Sequence, residues 1–252
     1  MIRFLVAAAM AGAAALPAVA QGAAQADDHF RHGYVFYVGG IRSAEATVEG
    51  WSLEDGYLFN ASLRSAGIVG FFADAEWEAE VQGRRLSEAS FRPDDYRHET
   101  VWNGEIRSLN MDYEGGRPVL VAYTPEREED DEPIPPMSTA AGTVDPLTGL
   151  VMLVWPGTPD EICGRVIDTF SGARRTRLTM SAPRRGGDGT WRCEGGAMRM
   201  RYDEEGNRTP ERDKTFPFTI EMREMADAAG VFEVWRLNSP TDIGQMIVRR
   251  TN

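Results

Sequence analysis

The chain has 252 residues, of which 42% are hydrophobic and 10% aromatic, and its formal net charge at pH 7 is −12. This apolar content is enough to fill a core, which excludes a chain that is disordered throughout. The acidic balance argues against binding to nucleic acid or to an anionic lipid surface, because both would repel the protein on average.

The first twenty residues have the pattern of an export signal that is removed after secretion. Arg3 precedes an apolar run over 4–16, and Ala18-Val19-Ala20 offers small residues to a signal peptidase, with Ala24-Gln25-Ala26 as a second candidate site. The run holds about 13 residues, whereas a membrane-spanning helix needs about 20. We therefore expect a signal peptide cleaved near Ala20, a flexible mature N-terminus over 21–32, no transmembrane anchor in the mature chain, and a location in the periplasm.

From residue 33 onward, apolar and polar residues alternate along most of the chain. The longest example is 73–82, and 57–64 shows the same pattern. Alternation with period two is typical of antiparallel strands that bury one face, and turn signals such as Asn103-Gly104 separate the segments. The sequence therefore predicts a mainly β fold, either one curled antiparallel sheet or an open β-barrel or β-spiral, with one or two short helices, in a single domain over 33–252.

Two short apolar segments are expected to be helical. Residues 68–72 lie between two strands, while Asp145 and Pro146 predict the start of a helix over 147–155 that Pro156-Gly157 ends. The second segment is apolar on nearly all sides, so we expect it against the concave face of a sheet or at the mouth of an open barrel. Either segment could pack in the core or line a ligand cavity. The candidate ligand-binding residues are Ile68, Phe71, Phe72, Leu150, Met152 and Trp155.

An acidic, proline-rich loop over 125–143 separates the two halves of the chain. Its composition is too polar for packing, so a solvated loop within one sheet and a linker between two domains are the alternatives. We favour the loop, because the first half has too few bulky residues to close a barrel by itself. The acids lack the spacing of an EF-hand, and we expect no metal site.

The two cysteines, Cys163 and Cys193, are expected to form a disulfide in an oxidising compartment. A reactive thiol or half of a metal site would need neighbours that the sequence does not supply, since the histidines are distant and no C-x-x-C occurs. If Cys163 opens one strand and Cys193 lies in a later one, the bond pins a hairpin built from 166–170 and 173–181.

Several short motifs occur in a recognisable order. They are the aromatic strand 34–41, Ser65-Ala66-Gly67-Ile68, the element 91–96, Asp145-Pro146-Leu147-Thr148, the segment 166–175 and the two cysteines. Together they resemble the proteobacterial periplasmic family called domain of unknown function 3108. The resemblance implies an open, curled antiparallel sheet like those of periplasmic lipoprotein carriers, and it implies no established reaction. The chain departs from the family pattern at 168–172, where a compact Asp-Gly turn is usual.

Motifs of common catalytic sites are missing from the sequence, including G-x-S-x-G, H-E-x-x-H, the P-loop and G-x-G-x-x-G. His98 could act as a base with Asp94 or Asp95, but 96–100 has the pattern of an exposed strand, which favours a solvated histidine. We expect a non-enzymatic envelope protein that has no cofactor. We expect this protein to bind an apolar ligand, either a lipid or a lipoprotein acyl chain. The alternatives are a scaffold that contacts an envelope protein and, less favoured, a glycan or peptide hydrolase that uses paired carboxylates.

Overall fold

The computed structural model describes residues 28–54, 56–72, 74–125 and 133–251. The expected signal peptide and its cleavage sites lie outside these ranges. Within them, no helix has the combination of length and hydropathy that crossing a bilayer requires.

Fourteen strands in the described residues form one sheet. They are β1 (Asp28–Val38), β2 (Ile41–Leu53), β3 (Gly56–Ser65), β4 (Ala75–Ser87), β5 (Ser90–Trp102), β6 (Glu105–Glu114), β7 (Arg117–Thr124), β8 (Val166–Phe170), β9 (Arg175–Met180), β10 (Arg184–Arg185), β11 (Trp191–Met200), β12 (Lys214–Met225), β13 (Ala228–Thr241) and β14 (Gly244–Arg250). The helices are α1 (Gly67–Phe72), α2 (Pro146–Val154) and α3 (Pro159–Cys163), with 3₁₀ turns at Met137–Ala140 and Pro210–Arg212.

The strand order joins two antiparallel meanders through the first and last strands. It runs β7-β6-β5-β4-β3-β2-β1-β14-β13-β12-β11-β9-β8, with β10 on β11. The junction pairs Tyr34 with Arg250 and Val38 with Met246. The predicted fold class is thus confirmed: the protein is mainly β, with one large antiparallel sheet that is nearly closed into a barrel.

The two ends of the sheet, β7 and β8, approach each other across a seam. Val144 bridges to β8, where its N–H donates to the Asp168 carbonyl at 2.9 Å and its carbonyl accepts from Phe170 at 2.8 Å. Gly172, in the β8–β9 turn, has φ of 81°, and a Cβ atom there would lie 2.3 Å from Leu109 Cδ1 on β6. The turn therefore packs against β6 with no room for a side chain.

Two expectations about chain segments need correction. Strand β1 already begins at Asp28, so 28–32 belongs to the sheet and not to a flexible N-terminus. The described part of the expected solvated loop, 133–143, packs against the protein: Ala140 and Thr143 are buried, and Thr143 Oγ1 donates to the Ala140 carbonyl at 2.7 Å. The prediction of a solvated loop was wrong for 133–143, because the small and apolar residues after the acids pack against the sheet although the segment as a whole is polar and rich in proline.

The core consists of two clusters on the concave face. The first core cluster packs the inner faces of β2–β6 and Phe170 of β8 against α2. Its largest fully buried members are Tyr57, Tyr96, Phe59, Phe170, Leu109, Met111, Leu147 and Val81. The second core cluster includes Ile162, Ile220, Met222 and Val234. Alternate residues of β4 illustrate the pattern, since Ala79 and Val81 are buried whereas Glu78 and Glu80 are exposed.

The expected disulfide joins Cys163 to Cys193, with their Cα atoms 5.8 Å apart, inside the second core cluster. Cys193 lies on β11, as expected for a later strand. Cys163 does not open a strand, because it is the last residue of α3. The bond therefore ties a helix to the sheet beside the β8–β9 hairpin, whose pairing matches the predicted one.

Candidate functional site

Helix α2 is held at both ends by specific hydrogen bonds. At its N-terminus, Asp145 Oδ1 accepts from the Thr148 N–H at 2.8 Å, and Pro146 occupies the first helical position. At its C-terminus, Arg165 donates to the carbonyls of Met152 at 2.9 Å and Trp155 at 2.7 Å. Burial lowers the pKa of Arg165 to about 10, so the guanidinium remains charged at neutral pH and satisfies carbonyls that have no partner within the helix.

Different faces of α2 contact different parts of the sheet. Leu147 and Val151 are buried in the first core cluster. Gly149 allows the helix to approach β8, where a Cβ atom would lie 2.4 Å from Thr169 Cγ2. A third face presents Leu150 and Val154 to the opposite wall of the curled sheet.

An apolar groove lies between this third face and the concave side of β1, β2, β13 and β14. Its volume is about 230 Å³. The lining residues are Tyr34, Phe36, Ala46, Val48, Leu150, Leu153, Val154, Val234, Trp235, Arg236, Leu237, Met246, Val248 and Arg250. An apolar cavity of about 150 Å³ can hold benzene, so this groove has room for a larger apolar group.

Charged groups meet the groove beside β14. Arg250, whose side chain is 11% exposed, is hydrogen-bonded through Nη1 to Glu233 Oε2, and the Glu233 side chain is 9% exposed. Arg223 donates through Nε to the other Glu233 oxygen at 2.7 Å. Burial, followed by the charge of Arg250, lowers the pKa of His32 to about 4, and burial raises the pKa of Tyr34 to about 12. At neutral pH, His32 is therefore uncharged and Tyr34 keeps its proton.

A separate polar centre lies at the N-terminus of α2 inside the first core cluster. Asp145 is completely buried, and burial raises its pKa to about 6 despite the hydrogen bond from Thr148. Asp145 Oδ2 has no hydrogen-bond partner among the described residues. Tyr57 Oη and Thr148 Oγ1 share a hydrogen bond of 3.1 Å, and burial followed by the Asp145 charge raises the pKa of Tyr57. This centre is distinct from the groove lining.

The structure distributes the six candidate ligand-binding residues over different environments. Leu150 lines the groove. Met152 and Trp155 pack against the first core cluster, where the Trp155 ring meets Phe91 edge-on at 5.0 Å. Ile68 is 60% exposed on α1 and is not part of the groove lining. Phe71 and Phe72 belong to α1, but their side chains lie outside the described part of the chain.

The strand wall of the groove was not among the sequence candidates. Tyr34 and Phe36 alternate along β1, and Met246 and Val248 alternate along β14, so their inward orientation could have been found from period-two patterning. Their convergence on α2 could not, because it depends on the pairing of β1 with β14.

His98 differs from the solvated histidine that we expected. On β5 it pairs in register with Ala79 and Leu109, two buried residues of the first core cluster. Its Nδ1 atom is buried without a hydrogen-bond partner among the described residues, and burial lowers the pKa of the imidazole. His98 therefore shares the inward face of Tyr96 on this strand and does not project into solvent.

The outer face of the same strands carries a wider, polar trough of about 660 Å³. Its lining includes Asn60, Glu78, Glu80 and Glu99, and Glu78 faces Glu99 across β4 and β5. All three glutamates are exposed. Within the ranges that the structure describes, His, Cys, Asp and Glu side chains form no group of three or more that could hold a metal ion.

The fold and groove define a mainly β protein in which a short helix lies against the concave face of one large, nearly closed antiparallel sheet. The family model described as "Protein of unknown function (DUF3108)" matches residues 33–185, and the chain therefore belongs to this family. No curated protein and no solved structure matches the chain. The matched residues include β2, α2 and most of β1, whereas the groove wall from β13 and β14 lies beyond them.

Proposed function

We propose that the protein is a non-enzymatic, periplasmic envelope protein that binds an apolar ligand, a lipid or a lipoprotein acyl chain, in the groove beside α2. The observation that carries this proposal is the groove itself, whose walls are almost entirely aliphatic and aromatic. Binding sites for small molecules are typically concave and apolar with a few polar groups. Removal of apolar surface from water contributes about 25 cal/mol per Å², so an acyl chain gains free energy by entering such a groove.

Two further observations support the proposal. Helix α2 is fixed by hydrogen bonds at both ends, so the groove exists before a ligand arrives and little ordering is needed on binding. The disulfide between Cys163 and Cys193 is compatible with an oxidising compartment, as is the export signal expected from the first twenty residues.

Native mass spectrometry of the mature protein, before and after delipidation, tests the proposal. The expected result is a co-purified apolar adduct and rebinding of a fluorescent acyl probe after delipidation. Leu150→Trp fills the groove and should weaken probe binding at least tenfold, because Leu150 lies on its helical wall. Leu86→Trp is the matched control, since Leu86 is 58% exposed on β4 and outside the groove lining.

Protein that is always isolated empty and does not bind the probe would contradict the proposal and favour the scaffold alternative. Equal probe binding by wild type and Leu150→Trp would place the binding site elsewhere.

A further inference from the structure

Four segments at one end of the curled sheet contact each other in a row. They are the β13–β14 turn (241–245), the β1–β2 turn (38–43), α1 with its flanking residues (65–74) and the β5–β6 turn (102–107). Three backbone hydrogen bonds join each segment to the next, in which the N–H groups of Gly39, Ala66 and Asn103 donate to the carbonyls of Gln245, Ser43 and Asp74 at 3.0, 2.9 and 2.8 Å, respectively. We call these four segments together the rim.

Every segment of the rim exposes a large apolar side chain. The exposed fraction rises from 52% for Ile41 to 81% for Ile243, and Ile68, Trp102 and Ile106 lie between these values. Single exposed hydrophobic residues are common on soluble proteins, but five of them on adjoining segments at one end form a patch, and such patches mark interaction sites.

The opposite end of the sheet is acidic. An exposed acid lies in or beside each of the β2–β3, β4–β5, β6–β7 and β12–β13 turns, namely Glu54, Glu88, Glu114 and Asp227. The rim, in contrast, is nearly neutral, with two arginines against three acids: Arg42 and Arg107, and Asp74, Glu105 and Asp242. The protein can therefore approach a surface with the rim first while the acidic turns remain in water.

The chemistry of the rim matches the interfacial region of a bilayer. Binding to this region grows with the apolar area that enters the boundary between headgroups and acyl chains. Tryptophan suits this boundary, because its ring is apolar and its N–H is polar, and Trp102 is exposed on the β5–β6 side of the rim. Arginine can keep its guanidinium among the headgroups while its methylene groups contact apolar surface, as Arg42 and Arg107 would do here.

We propose that the rim docks the protein on the surface of a zwitterionic lipid bilayer, with Ile41, Ile243, Ile68, Trp102 and Ile106 entering the boundary between headgroups and acyl chains. A zwitterionic surface is the partner because the chain has a net charge of −12, which an anionic surface would repel. The groove lining begins at Met246, directly after the rim residue Gln245, so docking also brings the β14 side of the groove toward the membrane. Docking itself does not require a ligand in the groove.

Co-sedimentation of the delipidated mature protein with phosphatidylcholine vesicles tests the proposal. Ile243→Asn and Ile106→Asn should each weaken vesicle binding at least about fivefold, because each replaces an apolar side chain that leaves water on docking. Both residues are more than half exposed, so these substitutions spare the core. Leu86→Asn is the matched control, since Leu86 is 58% exposed near the opposite end of β4, and its vesicle binding should equal that of wild type.

Quenching by brominated phosphatidylcholine provides a second readout that locates the contact. The chain has six tryptophans, and Trp102 is the one on the rim. Vesicles with bromine on the acyl chains should quench part of the fluorescence of wild type. Trp102→Phe keeps an aromatic ring on the rim, so this variant should still co-sediment but lose most of the quenching.

Several results would overturn the proposal. These are a wild type that does not bind the vesicles, a loss in Leu86→Asn as large as in the rim variants, and quenching that persists in Trp102→Phe. Stronger binding after part of the phosphatidylcholine is replaced by phosphatidylglycerol would overturn the choice of a zwitterionic partner. A dimer in sedimentation velocity that Ile243→Asn dissociates, without vesicle binding by wild type, would assign the rim to a second copy of the chain.

The groove variant Leu150→Trp separates this proposal from the proposed function. Leu150 lies on α2, outside the rim, so the variant should bind vesicles like wild type while its binding of the acyl probe is weakened. Vesicle binding by wild type that never binds the probe would contradict the proposed function and leave the docking surface in place.

Discussion

The substitution Asp145→Asn removes a fully buried carboxylate while preserving an N-cap residue at the start of α2. Asparagine is as favourable an N-cap as aspartate and keeps an oxygen that can accept from the Thr148 N–H. The side chain also retains nearly the same volume among Tyr57, Thr148 and Leu147. The substitution therefore tests the electrostatic cost of this carboxylate with little change in packing.

The magnitude follows from the pKa of Asp145, which burial raises from 3.8 to about 6. Because the folded-state pKa is the higher one, the contribution of this group to stability is fully present below pH 3.8 and is lost as the pH rises through 6. Relative to the protein with Asp145 protonated, the free energy of unfolding is lower by about 1 kcal/mol at pH 4.5 and by about 3 kcal/mol at pH 7.5. Asparagine does not ionise, so the stability of the variant relative to wild type should increase by about 2 kcal/mol between these two pH values.

Urea unfolding of the oxidised mature protein, followed by tryptophan fluorescence at pH 4.5 and 7.5, measures this difference. Asp242→Asn is the control, because Asp242 is exposed in the β13–β14 turn. The difference in free energy of unfolding between this variant and wild type should be nearly the same at both pH values. A difference between Asp145→Asn and wild type that stays constant or decreases as the pH rises would refute the argument.

Four further substitutions test the elements that hold the sheet and the helix. Cys193→Ser should lower the free energy of unfolding by about 3.5 kcal/mol in the absence of reductant and have little effect in its presence. Equal urea midpoints of variant and wild type without reductant would contradict a stabilising role of the disulfide. Gly230→Ala should lower the free energy of unfolding by about 1–2 kcal/mol, because alanine is strained in the left-handed backbone conformation of this open position. Gly172→Ala carries the same strain and should lower the free energy of unfolding by a further amount of about 1–3 kcal/mol, because its Cβ atom overpacks the seam. Equal losses in the same urea titration would show that the β8–β9 turn does not pack tightly on β6. Arg165→Met should lower the free energy of unfolding by about 1–3 kcal/mol, because carbonyls at the C-terminal end of α2 lose a charged hydrogen-bond donor. An unchanged urea midpoint would show that Arg165 does not stabilise this end of α2.

The local features of the fold could be predicted from the sequence because their signals are local. Alternation along 73–82 predicted the inward and outward faces of β4, since successive residues of a strand point to opposite sides. Asp145 and Pro146 predicted the start of α2, because an N-cap acceptor and a proline at the first position favour helix initiation. The disulfide was predicted from two cysteines in a chain with an expected export signal and without the neighbours of a metal site or a reactive thiol.

Helix α3 was not predicted, although its signal is present in the sequence. Thr158 and Glu161 form a reciprocal capping box, in which Thr158 Oγ1 accepts from the Glu161 N–H at 3.3 Å and Glu161 Oε2 accepts from the Thr158 N–H at 2.8 Å. The segment is only five residues long and lacks an apolar repeat, so the capping box and Pro159 at the first helical position were its only indications. Without α3, only the case in which Cys163 opens a strand was considered.

The candidate site was predicted only in part, because its two walls come from distant parts of the chain. Leu150 was identified from the apolar character of 147–155, and it does line the groove. Val234 and Val248 on the opposite wall come close to Leu150 only because β1 pairs with β14 and the sheet curls back over α2. Periodicity indicates which side chains share a face, but it does not determine which strands are neighbours.

A crystal structure of the delipidated mature protein bound to a terminally brominated fatty acid would show whether the groove beside α2 holds an acyl chain, because anomalous scattering locates the bromine independently of the protein. We expect a bromine peak inside the groove between α2 and β14. A peak only on the outer face of the sheet, or no peak in crystals of protein shown to be saturated with the ligand, would contradict it.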